Sequence, residues 1–306
     1  MLSGIHGYFN SAGKKNYDIY ISRFPRDAAG FIPLYTKDLP ENTVLRVYAV
    51  GGDGILFDCL NGLVNFENAE LGAIPYGHTN NYIRGFGKNE KRFFRNIARQ
   101  VDSVSIPMDI LRCGSNYALN YCVIGLEAEA VRYSERLRDK MDMNNPFNQW
   151  LYNNFYNAYY ISGGIFACFD KRIRRQKYEI TVDGKVYSED GWGFSIFNGP
   201  YYGGSWHPIN DAKPNDGILD MHFILGRRFL HTYSKFPFYL SGSKKLIPKI
   251  IFPLRGEKIK IRSADILKVC LDDNTFYESE LDVEILPGGI RFIDASQHGY
   301  RGICND

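Results

Sequence analysis

The chain has 306 residues, 44% of them apolar and 23% charged, a composition that predicts a soluble globular protein of two domains, each able to bury a core. Its 37 basic and 34 acidic groups leave a net charge of +3, too balanced to mark a nucleic-acid binder, and no run of about 18 apolar residues marks a membrane-spanning helix. Six scattered cysteines without a C-x-x-C, six histidines without an i, i+4 pair and no signal-peptide pattern argue against a disulfide scaffold and a zinc site, and give a cytoplasmic reading.

In chain order, residues 17–21 read as a strand, 26–35 as a helix, 44–50 as a strand and 56–64 as a helix. Residues 71–75 read as the next strand, followed by a helix near Tyr82. Residues 91–101 read as one helix that packs Phe93, Phe94, Ile97 and Val101 on one face, and 103–107 as a strand leading to Asp109. This alternation predicts a parallel α/β sheet. From Cys113 the pattern changes to alternating strands broken by Gly, Asn and Asp, which predicts an antiparallel β-sandwich-like domain. Its strands are expected at 116–124, 178–182, 192–197, 219–225, 258–261, 267–271 and 283–286, with an Asp183-Gly184 hairpin turn and a helical insertion at 126–141 and 147–161. The division is therefore 1–112 for the α/β domain, 113–288 for the β domain, and a segment 289–306 expected to return toward the first.

The most informative stretch is Gly51-Gly52-Asp53-Gly54, between an apolar strand and a helix. Glycines there let backbone N–H groups approach an anion where a Cβ would block them, and the helix behind presents its positive end. On these four residues alone, a strand-to-helix turn in which Asp53 merely caps the helix is an equal alternative. The densest basic run, residues 171–177, reads either as a solvated strand start or loop or as attraction to an anionic membrane surface.

Several ordered segments resemble the diacylglycerol kinase catalytic-domain family, in its soluble bacterial lipid kinase branch, which is related to sphingosine kinases and NAD kinases. They are Arg46 to Gly54 with Asn61-Gly62, Leu71 to Gly77 with Asn80, Tyr201-Tyr202-Gly203-Gly204, Asp211 to Asp220, and Leu286 to Arg291. The resemblance implies ATP and Mg2+ as cofactors and a lipid alcohol as substrate. It implies that Gly51, Gly52, Asp53, Gly54, Ile55 and Asp58, with Gly77, His78 and Asn80 of the second loop, line the nucleotide, and that Asp53 places the metal directly or through water. Asp109, just after the last strand of the first domain, would join that metal network. Lys213, Asp216 and the carbonyl of Ile218 would hold a separate structural magnesium, or else form a turn stapled by a Lys–Asp pair.

The chain also departs from the family where the chemistry lies. Ile55 replaces a Thr, Phe57 an Asn, His78 a Thr and Asn81 an Asp of the metal network. Counting back from Pro287, the family's Asp-Gly-Glu falls on Asp272-Asp273-Asn274, so Asn274 stands where the general base is expected. A positioned base is worth on the order of 100- to 10,000-fold in rate. If the strand continued, Asp273 would face away and Asp272 would lie one strand repeat from the base position. The family's first strand and its phosphate loop are missing before residue 17, with residues 5–10 as a remnant of the first helix. Either the start is misassigned or a partner fills that gap; a homodimer is a separate expectation. Three readings result: an ATP-dependent lipid kinase, a catalytically impaired homologue that binds nucleotide or lipid, and an NAD kinase.

Overall fold

The computed structural model describes residues 1–302 apart from positions 41, 78, 143–144, 155–160, 165, 168–174, 205, 227–230, 233 and 244–249. After α1 (Leu2–Ser11) and α2 (Asp27–Thr36), the apolar run Leu45–Gly51 forms β1, and α3 (Asp53–Leu63) leads to β2 (Ala69–Pro75), buried along its whole length. Short helices α4 (Asn81–Arg84), α5 (Glu90–Phe94) and α6 (Ile97–Asp102) precede β3 (Ser105–Cys113). The second part comprises β4 (Asn116–Ala118), β5 (Tyr121–Gly125), α7 (Leu126–Asp139), α8 (Pro146–Asn154), β6 (Gln176–Val182), β7 (Lys185–Phe197) and β8 (Leu219–Leu225). It ends with α9 (Phe236–Leu240), β9 (Ile251–Gly256), β10 (Lys258–Leu271) and β11 (Asn274–Ile293). An α/β domain thus precedes a β-sandwich-like domain carrying a helical insertion, the class expected from the pattern.

The strand that positions the site is β11. Its first half pairs antiparallel with β10; its last residues lie parallel to β2 at Glu70 and Leu71 and antiparallel to β3 from Ser105 to Met108. The crossing is a register shift between Leu286 and Ile290, where Gly288 has φ 62°, a left-handed conformation that favours glycine. One core, with Leu60, Leu71, Phe86, Phe94 and Phe292, lies under the α/β part; a second, with Tyr178, Phe194, Phe223 and Leu281, lies inside the β part. Phe57 of α3 belongs to the second core, so this helix packs on both. Among the described residues, no helix is long and apolar enough to cross a membrane.

Several expected elements differ; the strands expected at 258–261 and 267–271 are the single strand β10, and that at 283–286 is part of β11. Residues 17–21 form no strand, and the edge of β1 away from β2 has no partner among the described strands. They are held instead by Tyr20 stacked on Phe31 at 3.7 Å and by Asp18 accepting from the Tyr35 hydroxyl. The helix over 91–101 breaks into α5 and α6, because Asn96 turns its side chain onto the Arg99 N–H and caps a new start. The strand over 116–124 breaks at Leu119-Asn120, whose amides turn to a carboxylate. Asp109 lies within β3 rather than after it. Cys168, Cys304 and residues 171–174 lie outside the described residues.

Candidate functional site

The glycine turn is held by contact between two loops. The Gly51 carbonyl accepts from the N–H groups of Tyr76 (2.8 Å) and Gly77 (2.9 Å), and a Cβ on Gly77 would stand 2.3 Å from the Gly52 Cα. Only glycine permits that approach. Asn80, at φ 48°, donates its side-chain amide to the Gly77 carbonyl at 2.6 Å and fixes the second loop. No side chain caps α3, so its first-turn amides stay open to an anion, and Gly54 there is exposed with free space where a Cβ would be.

Asp53 begins α3 and accepts from the Thr79 hydroxyl (2.7 Å) and the Asn81 N–H (2.9 Å); burial pushes its carboxyl up. Asn81 in turn accepts from the Gly204 N–H at 2.7 Å, which ties the glycine turn and second loop to the Tyr201–Gly204 loop of the β domain. Asp53, Leu56, Asn81, Tyr82, Asn120, Tyr121 and Asp272 line a cavity of about 10 Å3, roughly room for one water. Three buried wall atoms, the Asn81 Nδ2, the Tyr82 hydroxyl and the Asn120 Oδ1, have no hydrogen-bond partner. Each such group costs on the order of 1–3 kcal/mol. Polar groups held at that cost suit a bound polar ligand.

Between β10 and β11 the strand does not continue. Leu271 pairs with Asn274, so Asp272 (φ 41°) and Asp273 (φ 68°) are the two central residues of a tight hairpin turn. The facing expected from strand alternation is therefore wrong for both. Asp272 accepts the N–H groups of Leu119 (2.7 Å), Asn120 (3.2 Å) and Tyr121 (2.9 Å), and burial brings its carboxyl to about 7. Its oxygens are committed to backbone, so it does not stand in for the base. Asp273 accepts from the Tyr121 hydroxyl, and burial followed by repulsion from Asp53 raises it to about 6. Asn274 folds its amide back onto the Asp272 carbonyl at 3.1 Å.

Other expected site residues lie elsewhere. Both Asp109 oxygens are taken, by Gly217 N–H and Gly288 N–H at 2.8 Å each, so it clamps two β-domain loops rather than joining Asp53. Asp58 accepts from the Arg26 N–H at 2.8 Å, on the α2 side of α3, away from the nucleotide loops. Ile55 folds over Gly51, its methyl 2.7 Å from where a Gly51 Cβ would stand. His78 lies outside the described residues. Asp216 pairs with Arg255 at 3.6 Å and accepts from the Ile218 N–H at 3.2 Å, so its carboxylate is engaged by an arginine, while Lys213 is exposed.

Thr79, Tyr82, Asn120 and Tyr121 are the site residues that sequence reading missed. Thr79 was legible as the hydroxyl one position after His78; the others look like ordinary core or strand residues. Among the described residues no group of three or more His, Cys, Asp or Glu could hold a metal by itself. Asp53 alone is the kind of donor set that fits a magnesium carried in on phosphates, since that ion keeps waters and needs only one or two carboxylates.

Residues 2–113 match the family described as diacylglycerol kinase catalytic domain, and residues 154–294 match the YegS C-terminal NAD kinase beta sandwich-like domain. The first part of the chain is thus similar to the diacylglycerol kinase catalytic-domain family. Two Staphylococcus aureus relatives, from strains Mu3 and Newman, both named "Putative lipid kinase", are 24% identical over 263 residues, 85% of this chain and 78% of each relative. Two crystal structures from Bacillus anthracis strain Sterne have a similar fold. One, described as a "putative diacylglycerol kinase", has TM-score 0.68 at 22% identity, covering 94% of this chain and 89% of that one. The other, described as a diacylglycerol kinase, has TM-score 0.64 at 19% identity, covering 94% and 90%.

Proposed function

We propose that this protein is an ATP-dependent lipid kinase that transfers a phosphoryl group to a lipid hydroxyl. The observation that carries the reading is Asp53, set at an uncapped helix N-terminus and tied through Asn81 to the β domain, beside a cavity with unpartnered polar walls. The first-turn amides of α3 would take the phosphates, and Asp53 would hold a magnesium ion, which supplies charge neutralisation when bound. Thr79 and the Asn81 N–H orient the Asp53 carboxylate, while Gly52 and Gly77 keep the two loops in contact. A lipid hydroxyl would approach from the cleft between domains, where Tyr121 and the Asp272-Asp273 turn stand.

A nucleotide-binding homologue of low turnover is favoured by two observations, Ile55 lying apolar over the turn and Asn274 standing at the base position. Incubating the purified protein with ATP, Mg2+ and vesicles carrying a panel of lipid alcohols, with NAD offered beside them, separates the readings. Lipid phosphorylation is expected, and Asp53→Asn should reduce it on the order of 100-fold or more. ATP binding by calorimetry without phosphorylation of any lipid would favour the binding homologue, and NAD phosphorylation alone would favour the NAD kinase.

A further inference from the structure

We propose that Asp273 is the general base that accepts the proton of the lipid hydroxyl in this chain; the inference rests on the lipid kinase reading above. Three neighbouring acidic groups are engaged: Asp272 by three backbone amides, Asp53 by Thr79 and Asn81, and Asp109 by Gly217 and Gly288. Asn274 has no basic form near neutral pH. Asp273, beside Asp272 on the left-handed turn, is lifted out of the strand alternation, and its side chain meets the Tyr121 hydroxyl. Tyr121 lines the cavity that Asp53 also lines, and Asp273 is near enough to Asp53 for the two charges to repel.

The Tyr121 hydroxyl donates to Oδ1 of Asp273 and leaves Oδ2 to a substrate. Around the group stand Asp53 from α3, Asp272 from the turn, and Glu135 and Arg138 from α7. Arg138 favours the ionised carboxylate that a base must be, while Asp53 opposes it. In the step, the lipid hydroxyl oxygen forms a bond to the γ-phosphorus of a nucleoside triphosphate, and the bond from that phosphorus to the β,γ-bridging oxygen breaks. That electron pair leaves with the nucleoside diphosphate, and the hydroxyl proton passes to Oδ2 of Asp273.

Asp273→Asn tests this, because Asn keeps the left-handed turn and the contact with Tyr121 but cannot take a proton. Expected are a fall of 100-fold or more in lipid phosphorylation, binding of a non-hydrolysable ATP analogue within twofold of the parent by calorimetry, and an unchanged melting temperature. Adding Asn274→Glu to this variant should recover tenfold or more, and Glu135→Gln should stay within threefold of the parent. Phosphorylation by Asp273→Asn within threefold of the parent overturns the inference and leaves the kinase reading standing. A parent that binds the analogue without phosphorylating lipid, or that binds no nucleotide, overturns the kinase reading and the inference with it.

Discussion

Glu127 is buried at the start of α7, where its carboxyl accepts from the Ser195 hydroxyl at 2.7 Å; that hydroxyl accepts in turn from Tyr239 at 2.9 Å. His222, on the neighbouring strand β8, packs its ring against Tyr239. Burial pushes the Glu127 carboxyl from 4.5 up to about 8 and the His222 imidazole down to about 4, so both are neutral in the fold at pH 7. An acid whose folded pKa lies above its unfolded value keeps its proton in the fold while the unfolded chain releases it. Its contribution is therefore fully present below pH 4.5 and is lost as pH rises toward 8, by about 1.4 kcal/mol per pH unit. Glu127→Gln removes that slope while keeping an acceptor for Ser195. Scanning calorimetry should find the variant more stable than the parent at pH 8 and close to it at pH 4; equal melting at pH 8 would contradict a neutral Glu127.

Among elements, the β10–β11 hairpin and α3 do more than form secondary structure. The hairpin ends in Asp272, whose carboxylate fills the break between β4 and β5 and satisfies amides that no strand partner reaches. Asp272→Gly accommodates the φ of 41° and removes only the carboxylate. Leaving those buried amides without an acceptor should lower stability by about 3 kcal/mol, read as a shift in the urea midpoint with the slope unchanged. A loss under 1 kcal/mol would show that the amides find other partners. Helix α3 carries Asp53 at its start, Asp58 against α2, and Phe57 into the β-domain core, with the Arg26 guanidinium 4.9 Å over the Phe57 ring. Phe57 is thus an apolar bridge between the two cores.

At the scale of the whole molecule, β3 and β11 run through both parts, so neither core is complete without the other's strands. Loss of β11 would remove the strand between β2 and β3 together with the partner of β10. Domains joined in this way should unfold as one unit. Calorimetry should show a single transition whose van't Hoff and calorimetric enthalpies agree; two resolved transitions would mean that the shared strands separate before either core melts.

The sequence alone determined the fold class, the order of most elements and the glycine turn with its second loop. These are encoded in contiguous residues: an apolar run, a Gly-rich turn and a helical pattern need no distant partner to be read. Residues 17–21 show the limit, since their apolar pattern reads as a strand and they instead pack through Tyr20 on Phe31. Only the tertiary structure decided what the acidic residues do. Asp109 looks catalytic by position and clamps two loops; Asp272 and Asp273 look like alternating strand residues and form a turn that reverses that logic. Tyr121 and Asp273, the pair on which the proposed chemistry turns, lie 152 residues apart. Hydrogen bonds of that span, and the burial that shifts a carboxylate, arise only when separate strands are brought into one sheet.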